Sequence, residues 1–363
     1  MVTTDPDAAS HNLGPTSDTR PESPATITGR FHRPLLCTVA VMAVVIACSA
    51  IGMMVDERTL LGESLWLKPF KFGVAFVLYS LTLAWLLSLP HTGRRVTWWM
   101  GTIFAVTGII DVGFIVLQAA RGTFSHFNTE TDAVNSIGQI VFASGVPGLF
   151  VANLILAVIV SWRPRVDRPT VWAIRSGLAL AVTGMALGYT MGFTGTQVVR
   201  TADGRVIELA AGHTVVDARL RAELSAPDAA PGLPITGWSM VGGDLRIPHF
   251  LGLHGIQVLL AAVVLTAWLA HRHPSLRDER FRTRLIGLLA LGWAGAIAIT
   301  YWQAMRGLPL LRPDGAVLLA AGTTAALLVG GFAAVTPRRP TRSHRPGLSA
   351  AARPRGSARP GSR

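Results

Sequence analysis

The sequence predicts an all-α fold: a polytopic membrane helix bundle of eight transmembrane helices, two tandem sets of four, with both termini cytoplasmic. Three observations predict it. Half of the 363 residues are apolar and only 15% are charged, where a soluble domain has about a quarter of its residues charged. The apolar residues fall in eight runs long enough to cross about 30 Å of hydrocarbon. The basic residues alternate with those runs from one side to the other. This composition excludes a soluble enzyme, a secreted disulfide scaffold and a nucleic-acid-binding domain, and nucleic acid is not an expected partner.

Residues 1–33 are rich in Pro, Ser, Thr and Asp and read as a disordered cytoplasmic tail. Because this polar stretch precedes the first apolar run, that run reads as a retained span rather than a cleaved leader. The membrane domain then covers 34–335. Its first half, 34–162, holds spans at 35–55, 70–90, 97–119 and 136–161. Cys37 and Cys48 both lie in the first span, about 16 Å apart along a helix, beyond disulfide reach. The second half, 172–335, holds spans at 172–193, 249–270, 285–305 and 315–335. Its long outer segment, 194–248, carries a small hairpin, Val198–Thr201 and Arg205–Leu209 around Ala202-Asp203-Gly204. Residues 336–363 read as a disordered, arginine-rich cytoplasmic tail, a candidate for anionic lipid.

Orientation follows from charge. With the N-terminus inside, 22 of the 33 basic residues but only 7 of the 20 acidic ones lie on the cytoplasmic side. The expected location is a bacterial plasma membrane, multi-pass, N-in and C-in.

Two strings suggest the tandem arrangement. The third span ends Gln118-Ala119-Ala120-Arg121-Gly122 and the seventh ends Gln303-Ala304-Met305-Arg306-Gly307. Pro69–Gly73 opens the second span as Pro248–Gly252 opens the sixth, and Asp132 and Asp314 precede spans four and eight. Four spans separate each pair, which predicts a parallel four-plus-four repeat with a site between the halves.

Polar residues are costly inside a bilayer, and here they gather toward the outer side. Asp111 shares a helix face with Gln118, and Arg121 follows at the rim. Lys68 and Lys71, the only lysines beside 31 arginines, open the second span. Asp244, Arg246, His249, His254 and Gln257 open the sixth, with the last three in one sector of the helix. Ser125-His126-Phe127-Asn128, Gln139, Tyr189, Tyr301, Gln303 and Arg306 lie near the same level. Each has a bland reading: Asp111 as a structural partner of Lys71 or an arginine, Arg121 and Arg306 as snorkelling cations, the histidines as hydrogen-bonders, Gln139 and Gln257 as interhelical glue. Their convergence points instead to an outward-facing pocket.

Three functions fit. The first is binding or transport of a small anionic or amphipathic, lipid-like ligand on Lys68, Lys71, Arg121, Arg246 and Arg306, with Asp111 as counter-charge or proton carrier and Gln118, Asn128, Gln139, Asp244, Gln257 and Gln303 as polar lining. The second is a membrane-embedded enzyme with a divalent metal on His126, His249 and His254, or a haem on two of them. The five-residue spacing of His249 and His254 fits poorly the four-residue spacing of helix-borne zinc pairs. The third is a structural subunit that binds a partner protein in the bilayer. A phosphate loop, nucleophile elbow, kinase set and paired glycosidase carboxylates are all missing from the sequence.

Gly242-Gly243-Asp244-Leu245-Arg246 with His249-Phe250, Gly252-Leu253-His254 and Gln257 resembles a motif of an uncharacterised, actinobacterial-type family of multi-pass integral membrane proteins. Arg121-Gly122 with Ser125–Asn128, and Gln303–Gly307 with Pro313-Asp314, are similar to its other signatures. The resemblance covers about residues 35–335. It implies the architecture and the choice of residues, and no activity.

Overall fold

A computed structural model describes residues 31–336 apart from 61, 127, 129, 163, 201–203, 218, 221–222 and 224–231. Both tails therefore lie almost wholly outside the described residues, as do Phe127 and most of the expected hairpin turn. Eight long helices make up the described chain: α1 Arg33–Val55, α2 Leu67–Ser88, α3 Arg94–Arg121, α4 Ala133–Ser161, α5 Arg168–Phe193, α6 Arg246–Leu269, α7 Glu279–Met305 and α8 Gly315–Val335. Each is long and apolar enough to cross a bilayer, and the chain is a multi-pass membrane protein. Most helix starts fall within three residues of the expected span. The exceptions are α5, which begins four residues early at Arg168, and α7, which begins at Glu279 rather than near 285, because Asp278 caps it by accepting from Arg280 N at 2.8 Å.

The two sets of four helices pack alike. In the first set α1 packs on α2 and α3, α2 on α3, and α3 on α4. In the second α5 packs on α6 and α7, α6 on α7, and α7 on α8. The sets meet where α4 lies on α5 and α2 touches α6. The α1–α2 and α5–α6 crossings use the same atoms. Gly73 sits over Met42 O and Ile46 N, and Gly252 sits over Leu180 O and Gly184 N. Gly252 and Gly184 bring two backbones together where a side chain has no room. At the α2–α3 contact, the Phe76 ring of α2 covers Gly108 of α3. At the α6–α7 contact the ring comes from the other helix, with Trp293 of α7 over Gly255 of α6.

The main core joins both sets, with Leu83 and Leu87 of α2, Phe104 of α3, Leu156 of α4, Leu178 of α5 and Ile256 of α6. Tyr79 Oη donates to Asn153 Oδ1 at 2.9 Å within it. Among the described residues α8 packs chiefly on α7, and Val317 is its one buried residue.

One end of the bundle bears the sheets. β1 (Thr59–Leu60) and β2 (Glu63–Ser64) form a short hairpin between α1 and α2 that the sequence reading missed. Between α5 and α6 the chain forms three antiparallel strands, β3 Thr196–Arg200, β4 Val206–Ala210 and β5 Thr214–Val215, where two were expected. Val199, Ile207, Leu209 and Val215 give this sheet its own apolar face. It rests over the end of α7, with Val199 against Gly307. The opposite end gathers the arginines of the α2–α3, α4–α5 and α6–α7 connections.

Candidate functional site

Two of the expected site elements turn out to close loops. Gln118 is fully buried and donates to Phe124 O (3.3 Å) and Asn135 Oδ1 (3.1 Å), while its Oε1 accepts from Arg121 Nη1 at 2.8 Å. Arg121 pairs with Asp132, the side-chain cap of α4, at 2.8 Å. Asn128 donates to Phe124 O, and Gln139 to Ser125 O. The second set repeats the device. Gln303 is buried and donates to Pro309 O and Leu310 O, and Arg306 pairs with Asp314, the cap of α8. In both cases the chain leaves the helix through a left-handed glycine, Gly122 (φ 79°) or Gly307 (φ 72°), which frees the helix carbonyls to receive the turn. Arg306 also lies 4.9 Å from the Trp302 ring. Gln118, Arg121, Asn128, Gln139, Gln303 and Arg306 thus spend their hydrogen bonds on their own loops. The carboxylates of Asp132 and Asp314 are held below their usual range, chiefly by the facing guanidinium.

A second group locks the sheet-bearing end. Asp244 is buried and takes Arg246 through Nε (2.9 Å) and Nη2 (2.6 Å), and it accepts from Ser239 N at 2.8 Å. Burial opposes its ionisation, but the Arg246 guanidinium wins and holds its pKa low. Arg246 Nη2 also donates to Gly237 O at 2.7 Å, and Lys71 Nζ donates to Thr236 O at 2.8 Å with Glu63 3.9 Å away. These contacts fasten the β1–β2 hairpin and the 232–239 segment over the helix ends. Glu63 was not foreseen, since an acid in a short loop carries no pattern.

What remains is a smaller site. Lys68 Nζ lies 3.1 Å from His126 Nδ1, which is also 3.1 Å from Ser125 Oγ. The His126 ring is held between Phe72 and Phe142, with ring centroids 6.0 and 4.4 Å away. Burial pushes its pKa well below the ordinary value, and the nearby positive fields of Lys68, His213 and His249 push the same way. The imidazole is therefore neutral and can accept from the Lys68 ammonium. Asp111 comes from α3, ten residues or about 15 Å inward from its end. It lies within the field of Lys68. Among the described residues its carboxyl makes no ion pair or hydrogen bond, so the bland alternative of a structural pair with Lys71 or an arginine is not formed there. His213 of the sheet segment joins the group from above. Its Nδ1 meets Ala211 O at 2.8 Å, and burial with the adjacent Arg246 lowers its pKa to about 4. Sequence reading passed it over because a loop histidine lacks helical spacing to mark it.

The other candidates on α6 diverge. His249 Nδ1 meets Gly184 O of α5 at 2.7 Å, with its ring against Gly188. His254 stacks on Phe250 at 6.1 Å, and Gln257 Nε2 reaches Thr82 of α2 at 3.2 Å. They do not share one partner region. Among the described residues no three histidine, cysteine or carboxylate side chains converge as a metal group. The expected trio stays apart because His249 faces α5, His126 is tied to α2, and His254 lies a turn further along α6. Tyr189 Oη is buried with no hydrogen-bond partner among the described residues, and Tyr301 is half-buried. No family model, curated protein or solved structure matches the chain.

Proposed function

We propose that this protein binds or transports a small anionic or amphipathic ligand through a pocket that opens on the outer side of a bacterial plasma membrane, with Asp111 as a proton carrier. The observation that carries this reading is the Asp111–Lys68 pair of unequal partners. A carboxylate within a bilayer costs about 2.5–3.5 kcal/mol on insertion scales, and structural ones recover that cost through direct pairing, as Asp244 does. Asp111 makes no such contact among the described residues. Lys68 has a neutral histidine as its contact and a carboxylate only at longer range. An anion can take the second place on Lys68, and Asp111 can then exchange a proton as the local charge changes.

The same reading takes the sheet-bearing end as outside and both termini as cytoplasmic, since the arginine-rich loops lie at the other end. It takes the two sets of four helices as a tandem duplication. The shared packing pattern, the matched glycine crossings and the twin glutamine–arginine–aspartate turns support it. It also keeps the resemblance to the actinobacterial-type family, whose motif residues supply Asp244, Arg246 and His126.

The test uses proteoliposomes loaded with a pH-sensitive dye and a panel of small carboxylates and phosphate esters added outside. Ligand-driven proton movement in the native protein, lost in Asp111→Asn while binding persists, is the expected result. Binding unaffected by both Asp111→Asn and Lys68→Ala, in variants that unfold at the native temperature, overturns the site.

A further inference from the structure

We infer that the open groove between the arginine-rich ends of α5 and α7 is a binding site for the phosphate headgroup of an anionic phospholipid. The groove has a volume of about 430 Å³ and is lined by Arg168, Val171 and Trp172 of α5 and by Arg280, Thr283 and Arg284 of α7. It lies at the opposite end of the bundle from Asp111 and does not depend on the function proposed for that site.

Its charge is only partly compensated. At the sheet-bearing end Arg58, Arg121, Arg246 and Arg306 each hold an aspartate. Among the described residues Arg168, Arg280 and Arg284 hold none. The nearby acids are engaged elsewhere: Glu279 accepts from Arg168 N at 2.7 Å, Asp278 caps α7, and Asp167 lies 3.9 Å from Arg282. Both α5 and α7 start at this groove, where Glu279 and Asp278 already hold first-turn N–H groups, so the attraction for an anion rests on the three guanidinium groups. Trp172 is 54% exposed at the same level, the position where amphipathic rings sit in a bilayer interface. Clustered arginines between helix ends with an interfacial tryptophan suit a phosphodiester whose acyl chains continue along the apolar flanks.

The first set of helices shows that the groove is a departure from the scaffold. In the matched α3, Trp98 stands where α7 has Thr283, and Trp99 where it has Arg284. Trp98 packs at that corner, 45% exposed, with its ring 5.7 Å from that of His32 and its carbonyl 2.9 Å from His32 Nε2. A small residue in place of a tryptophan opens the same corner in the second set and lines it with arginine.

The test is native mass spectrometry of the detergent-purified full chain, titrated with phosphatidylglycerol, phosphatidylcholine or inorganic phosphate. Phosphatidylglycerol is expected to bind in preference to phosphatidylcholine and to resist an equal concentration of inorganic phosphate. Each surface arginine contributes a factor of about five, so Arg280→Ala with Arg284→Ala should lower its affinity about thirty-fold. Thr283→Trp puts the first set's bulky residue into the groove and leaves every arginine in place, and it should abolish the same binding even if the double variant fails to fold. Arg94→Ala with Arg95→Ala, at the same end, should leave it unchanged. Undiminished phosphatidylglycerol binding by Thr283→Trp overturns the site. Equal loss in the Arg94/Arg95 variant reduces it to general surface charge. Displacement by inorganic phosphate makes it a free-anion site and overturns the lipid assignment.

Discussion

Asp111 and Asp244 are both acids set among lysine and arginine, and their surroundings predict opposite responses to the same substitution. Asp244 is buried against Arg246 with two direct contacts. Asp244→Asn leaves a partly exposed guanidinium without its counter-charge, so it should cost about 1.5–3 kcal/mol and lower the unfolding temperature. Asp111 has no direct partner to lose among the described residues. Asp111→Asn removes a charge from the bilayer and should leave the unfolding temperature equal or higher. Thermal unfolding of the two variants in one detergent checks both. His213 makes a pH prediction. Its folded pKa of about 4 lies below the model-peptide value of 6.5, so the unfolded chain binds a proton that the folded chain refuses between those values. Stability must therefore fall as the pH drops from 6.5 toward 4, by about 3 kcal/mol from this residue. His126 acts in the same direction, with Lys68, Arg246 and Asp244 facing the pair. His213→Gln should flatten the acid limb of unfolding temperature against pH without abolishing it. An unchanged limb would remove His213 from the buried group.

At the scale of the helices, the closest approach is α5 against α6. A methyl group at Gly252 would meet the Gly184 backbone, which cannot move aside as a side chain can. Gly252→Ala should then cost about 3 kcal/mol, the upper end for an overpacked site, read as a lower unfolding temperature. The turns at the ends of α3 and α7 show what sequence could and could not tell. The repeated Gln-Ala-x-Arg-Gly string with an aspartate ahead was legible as a shared element. Its use was not, because a glutamine turned onto its own loop and one turned into a cavity are the same residue at the same spacing. Gln118 and Gln303 were read as pocket lining, and both proved to be turn closures. Lys68 and Asp111 were legible as candidates because charge in or beside an apolar run is rare and each run fixes a depth, and His126 because it follows the third span at the same level. Glu63 and His213 were not, since a two-residue strand and a turn carry no periodic pattern.

For the whole molecule, eight spans require both termini on one side of the membrane. A fluorescent protein that folds only in the cytoplasm should glow when fused to either end, and alkaline phosphatase placed between β3 and β4 should be active. The reverse result would invert the pocket. Span count and order were legible throughout, because each helix must hide its backbone from lipid within one apolar run. How the helices pair was not, because that depends on where small residues and rings meet. The Phe76–Gly108 and Gly255–Trp293 contacts carry the further consequence. The same gap is filled by a ring from α2 in one set and from α7 in the other, so exchanging one helix between sets leaves either two rings in one place or a hole. Gly255→Phe alone should crowd Trp293, while adding Trp293→Gly should regain part of the loss, short of the Trp293 bond to Leu251 O. Each set is complete only with its own ring and its own glycine, so single helices cannot be traded between the sets although each whole set keeps its contact.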